Sequence, residues 1–577
     1  MKKKLLPALI VTGLIILVVI IMGITALINK YTPTKKTEDL KEYFNISSDD
    51  EAALIVDNEL SDYKAKIIDK KIYVDYKFVH DSLNSRFYWD ANENVLLYTT
   101  ASDIISAAAD SNSYSVTKQT NDFGYPIVKA TSDSALIALD YVKQYSNITF
   151  KSYDDPARIV ITSKWDEIDS ATVSKSTQVR VKGGIKSPIL KEVKKDDKIT
   201  ILDSGDKWDR IATEDGVIGY IKGKALSESK KTKLTNPDYE EETFTHIKKD
   251  KDICLAWNQV TSQSANSKVP QVISSTKGIN VMSPTWFYLN DNNGNLADIA
   301  SKDYVSYCHS QGIEVWGLFS NLENTDVDAA YVLTHTSTRT TLINQIMSAA
   351  FNYELDGVNI DFENITEAAY GDSYIEFIRE LAIKCHNNGI SLSVDVTVPA
   401  SFNKFFNRSD MANFADYIVI MGYDEHYKGS DAGSVSSIPW VTEGVESTLK
   451  EVPSDQIILG MPFYTRIWEL TPKEDDDAVT DTEDQSKYTV ASQVYSMDAA
   501  AAQLATNNAT AALDEESGQN YAEWSVSNKL YKVWLEDTTS LEKRLKLVDD
   551  NKLAGAAFWK LGFENSSVWD TVIKYLN

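Results

Sequence analysis

The chain has 577 residues, too many for one compact core, and its 43% hydrophobic and 10% aromatic content excludes a mainly disordered protein. A net charge of −26 excludes a nucleic-acid binder that works through clustered lysine and arginine. The three cysteines (Cys254, Cys308, Cys385) and six scattered histidines follow neither zinc-site nor disulfide-ladder spacing, so no metal or cofactor is implied and the cysteines read as small buried hydrophobes.

At the amino terminus Lys2, Lys3 and Lys4 precede an uncharged apolar run over residues 5–28. The run is long enough to cross a membrane, which takes about 20 helical residues, whereas a signal-peptide core takes about 7–15. It ends in ITALIN, a poor cleavage site. Residues 1–30 are therefore expected to be a cytoplasmic stub and uncleaved anchor, with the rest outside the cell by the positive-inside bias. Secretion after cleavage is the alternative. Residues 31–43 read as a polar stalk.

Residues 87–98 and 151–162 echo one another: an aromatic and an Asp-containing turn lead into an apolar strand. A helical stretch precedes each, over 76–83 and 135–145. Residues 44–165 are thus expected to be an α+β repeat domain. It resembles the small repeated domain named after the amino-terminal domain of copper amine oxidases, and it carries no copper ligands. Residues 171–228 hold five short alternating strands punctuated by Gly-Gly, Asp-Ser-Gly-Asp and Glu-Asp-Gly turns, the pattern of a small β-barrel. The strings GDKWDRI and DGVIGYI resemble bacterial SH3 domains, which implies a cell-wall contact; Trp208 and Tyr220 read equally as groove or as barrel core. A charged linker covers 229–242.

Residues 243–577 alternate apolar strands with helical patterns. Strands are expected to begin near Ile253, Gly278, Gly312, Leu355, Ile390, Asp416, Gln456 and Leu553, and a helix over 372–386 capped by Asp372 or Ser373 with Gly389 beyond its end. Eight strands with crossover helices predict an α/β fold, a (β/α)8 TIM barrel. The longer gap from about Thr471 to Leu535, acidic at first over 474–477, predicts an α+β insertion between strands 7 and 8.

One strand is anomalous. In DGVNIDFE (356–363), Val358, Ile360 and Phe362 suit a strand packed on helices, whereas Asn359, Asp361 and Glu363 share the other face. In a barrel that face is the interior, and Glu363 falls at the carboxyl end, where such enzymes work. Partial burial and a second carboxyl two residues away would raise one pKa, which keeps a general acid protonated near neutral pH. Asp356 has the wrong parity and reads as structural; His426 reads as a loop residue.

DGVNIDFE resembles the D-G-x-D-x-D-x-E signature of glycoside hydrolase family 18, the chitinase family, in the flavour of its bacterial branch associated with cell-wall and spore-cortex lysis. SPTWF (283–287), MGYD (421–424), GMPFYTRIW (460–468) and GAAFW (555–559) resemble the ends of its second, sixth, seventh and eighth strands. The resemblance implies a retaining mechanism in which the substrate supplies its own nucleophile. Glu363 would be the acid and base, Asp361 would hold the acetamido N–H, and Tyr423 would hold the acetamido carbonyl. Trp559 would be the floor under the sugar. Asn359, Asp424, Arg466 and Met421 complete the expected binding residues; without the resemblance, Tyr423, Trp559 and Arg466 read as core or rim. The family usually has a carboxylate at 359. Asn359 is expected to donate to Asp361, bias it toward Glu363 and shift the acidic limb of the pH profile. The implied function is a membrane-anchored hydrolase of β-1,4-linked N-acetylglucosamine glycans, peptidoglycan before chitin. A chitinase acting on chitin oligomers and a non-catalytic wall-glycan binder are the alternatives.

Overall fold

Apolar runs of five to nine residues form eight parallel strands, separated in the chain by helices and an inserted sheet: β1 Ile253–Asn258, β2 Val281–Leu289, β3 Glu314–Ser320, β4 Gly357–Asp361, β5 Ser391–Thr397, β6 Tyr417–Met421, β7 Ile457–Pro462 and β8 Gly555–Trp559. Each pairs in parallel with the next, and β8 pairs back onto β1, so the sheet closes. These positions belong to a computed structural model that describes residues 2–365, 368–473 and 484–576. The acidic run 474–477 lies outside the described residues.

Strand alternation gives the barrel two cores. Outward residues such as Val358, Ile360 and Phe362 join the shell packed by helices, with Phe362 stacked on Phe377 of the helix Gly371–His386 at 5.6 Å. Inward residues Leu255, Trp257, Trp316, Leu318, Tyr417, Val419, Ile458 and Ala557 fill the interior in layers. Large rings need small neighbours. A Cβ on Gly357 would lie 2.5 Å from Trp316 Cδ1, in a place where Trp316 stacks on Tyr417. Gly357→Ala is therefore expected to lower stability by about 1–3 kcal/mol through overpacking, read as a lower urea midpoint.

Several boundaries differ from the sequence expectation. The helix Gly371–His386 has Tyr370 at its N-cap without a side-chain bond, and Asp372 falls inside the first turn, where its charge suits the helix dipole. SPTWF lies within β2, which continues to Leu289. Strand β7 ends at Pro462, and Tyr464–Pro472 already belongs to the inserted sheet. Pro462 is the one breaker at that passage, and Phe463 and Tyr464 continue the apolar run directly after it, so the run reads as one strand. The insertion is a five-stranded antiparallel sheet, ordered Tyr488–Ser496, Tyr464–Pro472, Lys529–Leu535, Gln519–Val526, Ala512–Asp514, with the helix Met497–Thr506.

The chain divides into two compact units, and residues 90–106 and 115–119 cluster with 242–577. Within that unit Thr99 Oγ1 donates to the buried Glu376 Oε1 at 2.7 Å, and Thr336 N and Oγ1 both donate to Asp90 Oδ2 at 2.6 Å. The other unit contains a seven-stranded mixed sheet and a seven-stranded antiparallel sheet. The sequence echo is local: each copy is a short helix followed by a hairpin, but Phe87–Asp90 with Val95–Thr99 enters a different sheet from Thr149–Tyr153 with Arg158–Thr162. The second helix starts at Leu139, after a strand Ala135–Ala138. Inside the expected linker, Lys230–Lys233 is a strand paired with Glu167–Thr172. Its four exposed side chains offer no apolar alternation to reveal it. The helix Lys2–Tyr31 is long and apolar enough to cross a membrane.

Candidate active site

The β4–β5 pairing builds a polar block inside the barrel. Gly357 pairs with Ser391 and Asn359 with Ser393, so the inward residues Asn359 and Asp361 lie level with Ser393 and Asp395. All four are buried. Both ends of the Asn359 amide are engaged. Its Oδ1 accepts from Trp257 Nε1 at 3.0 Å and Ser283 Oγ at 2.9 Å; its Nδ2 donates to Asp395 Oδ1 at 2.7 Å and Ser393 Oγ at 3.0 Å. The expected bond from Asn359 to Asp361 is not among these. Same-face neighbours on one strand stand about 6.6 Å apart, whereas the next strand is about 4.8 Å away, so the amide reaches sideways.

Asp361 closes β4, and its Oδ1 is buried without a partner. Burial first, then the charges of Asp395, Glu363 and Glu323, hold its carboxyl well above the usual range. Asp395 is raised as well, by burial first and then by Glu363, against the bond from Asn359 that favours its anion. Glu363 follows the strand at the barrel mouth. Burial, then Asp424 and Glu323 from other loops, raises its pKa; the sequence pointed to Asp361 in that place. Carboxyls crowded this way share protons, and each neighbour's charge disfavours another.

Tyr423 follows β6 with its ring edge-on to Trp257 at 6.4 Å and Tyr464 at 6.2 Å. Burial and the charges of Asp361, Asp395 and Glu363 push its hydroxyl pKa up, so it stays a hydrogen-bond donor. Met421, the last residue of β6, lines a cavity of about 130 Å³ with Glu363, Asp395, Asn403 and Phe406. That is roughly the space of four waters, enough for a small polar substituent. Trp559 ends β8 and packs on Trp257 at 5.9 Å. Asp424 sits at φ 61°. It accepts from the Tyr464 hydroxyl and lies 3.8 Å from Arg466 Nη2. Arg466 comes from the inserted sheet; it donates to Ser492 Oγ at 3.2 Å, and its Nε is buried without a partner.

The structure thus brings Asn359, Asp361, Glu363, Tyr423 and Met421 to one end of the barrel, with Trp559 joined through Trp257 and the Asp424–Arg466 pair at the rim. Sequence reasoning missed Trp257, Glu323, Tyr464 and Asp395. Asp395 was findable: Ser391, Ser393 and Asp395 interrupt an apolar strand at the same spacing of two that flagged β4. Asp356, judged structural, accepts from His309 Nε2 and Val315 N, both at 2.8 Å. His426 bonds Asp431 O within its own loop at 3.0 Å.

Residues 323–564, which run from the loop after β3 past the end of β8, match the family model for glycosyl hydrolases family 18. Over those residues the barrel is similar to family 18 glycosidases. Its curated relatives include an uncharacterized glycosylase, YvbX, of Bacillus subtilis, 24% identical over 49% of this chain and 81% of the relative. A cortical fragment-lytic enzyme of the same organism is 24% identical over 48% of this chain, which spans 63% of that enzyme's length. Among solved structures, the spore cortex-lytic enzyme SleL of Bacillus cereus superposes with a TM-score of 0.50 at 18% identity, covering 60% of this chain and 79% of that one, a likeness of fold. The matched region thus has a cortical fragment-lytic enzyme among its relatives, and a probable endochitinase of Caenorhabditis elegans too.

Proposed function

We propose that the chain is a membrane-anchored, outward-facing hydrolase of β-1,4-linked N-acetylglucosamine glycans, with peptidoglycan as the preferred substrate. The observation that carries this reading is the placement of Asp361 and Glu363 at the carboxyl end of β4, both raised above the normal carboxylate range by burial first and then by neighbouring carboxylates. Glu363 protonates the glycosidic oxygen, and the substrate's 2-acetamido oxygen attacks the anomeric carbon to give an oxazolinium ion. Asp361 accepts the acetamido N–H and balances the positive charge as it develops. The Tyr423 hydroxyl donates to the acetamido carbonyl and fixes its line of attack. Glu363, now a carboxylate, takes a proton from the water that opens the ring. Trp559 supplies the apolar face on which the sugar stacks. The cavity beside Glu363 and Met421 has room for the acetamido group.

The preference for peptidoglycan is supported by the apolar amino-terminal helix and the cortex-lytic relatives. The amino-terminal lysines would stay cytoplasmic. Incubating the detergent-solubilised chain with purified peptidoglycan and with chitin oligomers, then identifying the new ends by mass spectrometry, tests the proposal. N-acetylglucosamine at new reducing ends of peptidoglycan is expected. Muramic acid there would overturn the bond assignment, and cleavage of chitin alone would overturn the substrate preference.

A further inference from the structure

The second carboxyl inside the barrel, Asp395, has no role in the scheme above, yet it lies level with Asp361 across the β4–β5 pairing and shares the cavity lined by Glu363. We propose that Asp395 is a positioning residue that takes the proton of Asp361 when the substrate's acetamido N–H reaches that carboxyl. The inference rests on the reading of the barrel as a hydrolase of acetamido sugars.

The geometry sorts the two carboxyls. Asp395 Oδ1 receives the Asn359 amide at 2.7 Å, and Asn359 cannot turn round because its oxygen is held by Trp257 and Ser283. Asp361 has a buried Oδ1 with no donor at all. An anion is stabilised by donors and a neutral acid tolerates their absence, so in the free protein the charge sits on Asp395 and the proton on Asp361. Among the described residues, the ionisable groups that act on this pair are carboxyls and tyrosines and add no positive charge to alter that order. Glu363 faces it from the loop after β4, Glu323 from the loop after β3, Tyr423 from the end of β6 and Tyr374 from the helix Gly371–His386. Asp424 stands behind Glu363. When the acetamido N–H arrives, Asp361 must accept a hydrogen bond and carry charge. Its O–H bond breaks, the proton passes to an Asp395 oxygen, and the pair keeps one proton and one negative charge throughout. The fixed Asn359 amide then makes Asn359 a support of Asp395, which explains why an amide stands between Trp257, Ser283 and a carboxylate.

Hydrolysis of a fluorogenic N-acetylchitooligosaccharide by the full chain, followed across pH, tests this with three variants: Asp395→Asn, Asn359→Asp and the double exchange. Asp395→Asn leaves Asp361 without its proton partner. A desolvated lone carboxyl takes up a proton at higher pH than a pair that shares one, so the acidic limb moves up by about one pH unit and kcat falls about tenfold or more with KM held. Asn359→Asp alone is slower than native because it removes the amide that Asp395 needs and adds a third carboxyl. The double exchange restores the carboxyl count and is expected to regain most of the lost kcat, which a merely structural Asp395 would not allow. An acidic limb that stays in place in Asp395→Asn overturns the inference while leaving the hydrolase reading intact. A double variant no faster than Asp395→Asn does the same. Should Asp395→Asn fail to fold, the rate of the folded double variant decides alone, within about tenfold of native in support and below that against. A native chain that hydrolyses neither this substrate nor purified peptidoglycan overturns the reading and the inference together.

Discussion

Glu363→Gln is expected to cut kcat by about 10²–10⁴-fold, the range for a positioned acid–base group, while glycan binding and the unfolding midpoint hold. The amide keeps the shape of the carboxyl and loses the transferable proton, so both the departure of the leaving group and the activation of water fail. Stability should not suffer. Glu363 is crowded by Asp424 and Glu323, which raise its pKa, and a neutral amide relieves that crowding at any pH where the native side chain would ionise. The sign also sets the native pH profile: the group must be protonated to act, so activity falls as pH rises through its raised pKa. Rate, binding by calorimetry and thermal unfolding of the same variant check all three parts. A near-native rate would remove Glu363 from the chemistry.

Asp361→Asn comes second, with an expected loss of about 10²–10³ in kcat, as for removal of one preorganised electrostatic partner in a dry site. The buried Oδ1 of Asp361 is unpartnered and free to receive the acetamido N–H. An asparagine keeps one acceptor and loses the negative charge that balances the oxazolinium ion. Because that charge develops only as the bond breaks, kcat should fall with KM nearly unchanged. Steady-state kinetics on a chitooligosaccharide separates the two. A rise in KM with kcat intact would assign Asp361 to ground-state binding alone.

The eight barrel strands were legible because each is a short apolar run between helical patterns, and the observed strands begin within three residues of the expected positions. The anomalous face of β4 was legible for the same reason: polar residues at a spacing of two in a core strand break the rule for burial. The passage from β7 into the inserted sheet was not, since Phe463 and Tyr464 continue the apolar run directly after Pro462, with no loop between the two strands. Nor was the placement of residues 90–106 with the barrel unit. That depends on Asp90 and Thr99 meeting Thr336 and Glu376, partners more than 240 residues away.

Periodicity and residue type alone determined the closed α/β barrel, the apolar amino-terminal helix and the candidacy of Asp361 and Glu363, because those signals are local and survive without knowing any neighbour. Tertiary structure alone decided what Asn359 does. Along the strand its nearest polar neighbour is Asp361, but hydrogen bonds follow distance in space, and the adjacent strand is closer than the next same-face residue. The amide therefore serves Asp395, a residue 36 positions away, and the charge of the site is set by strands side by side and not by the motif read in line.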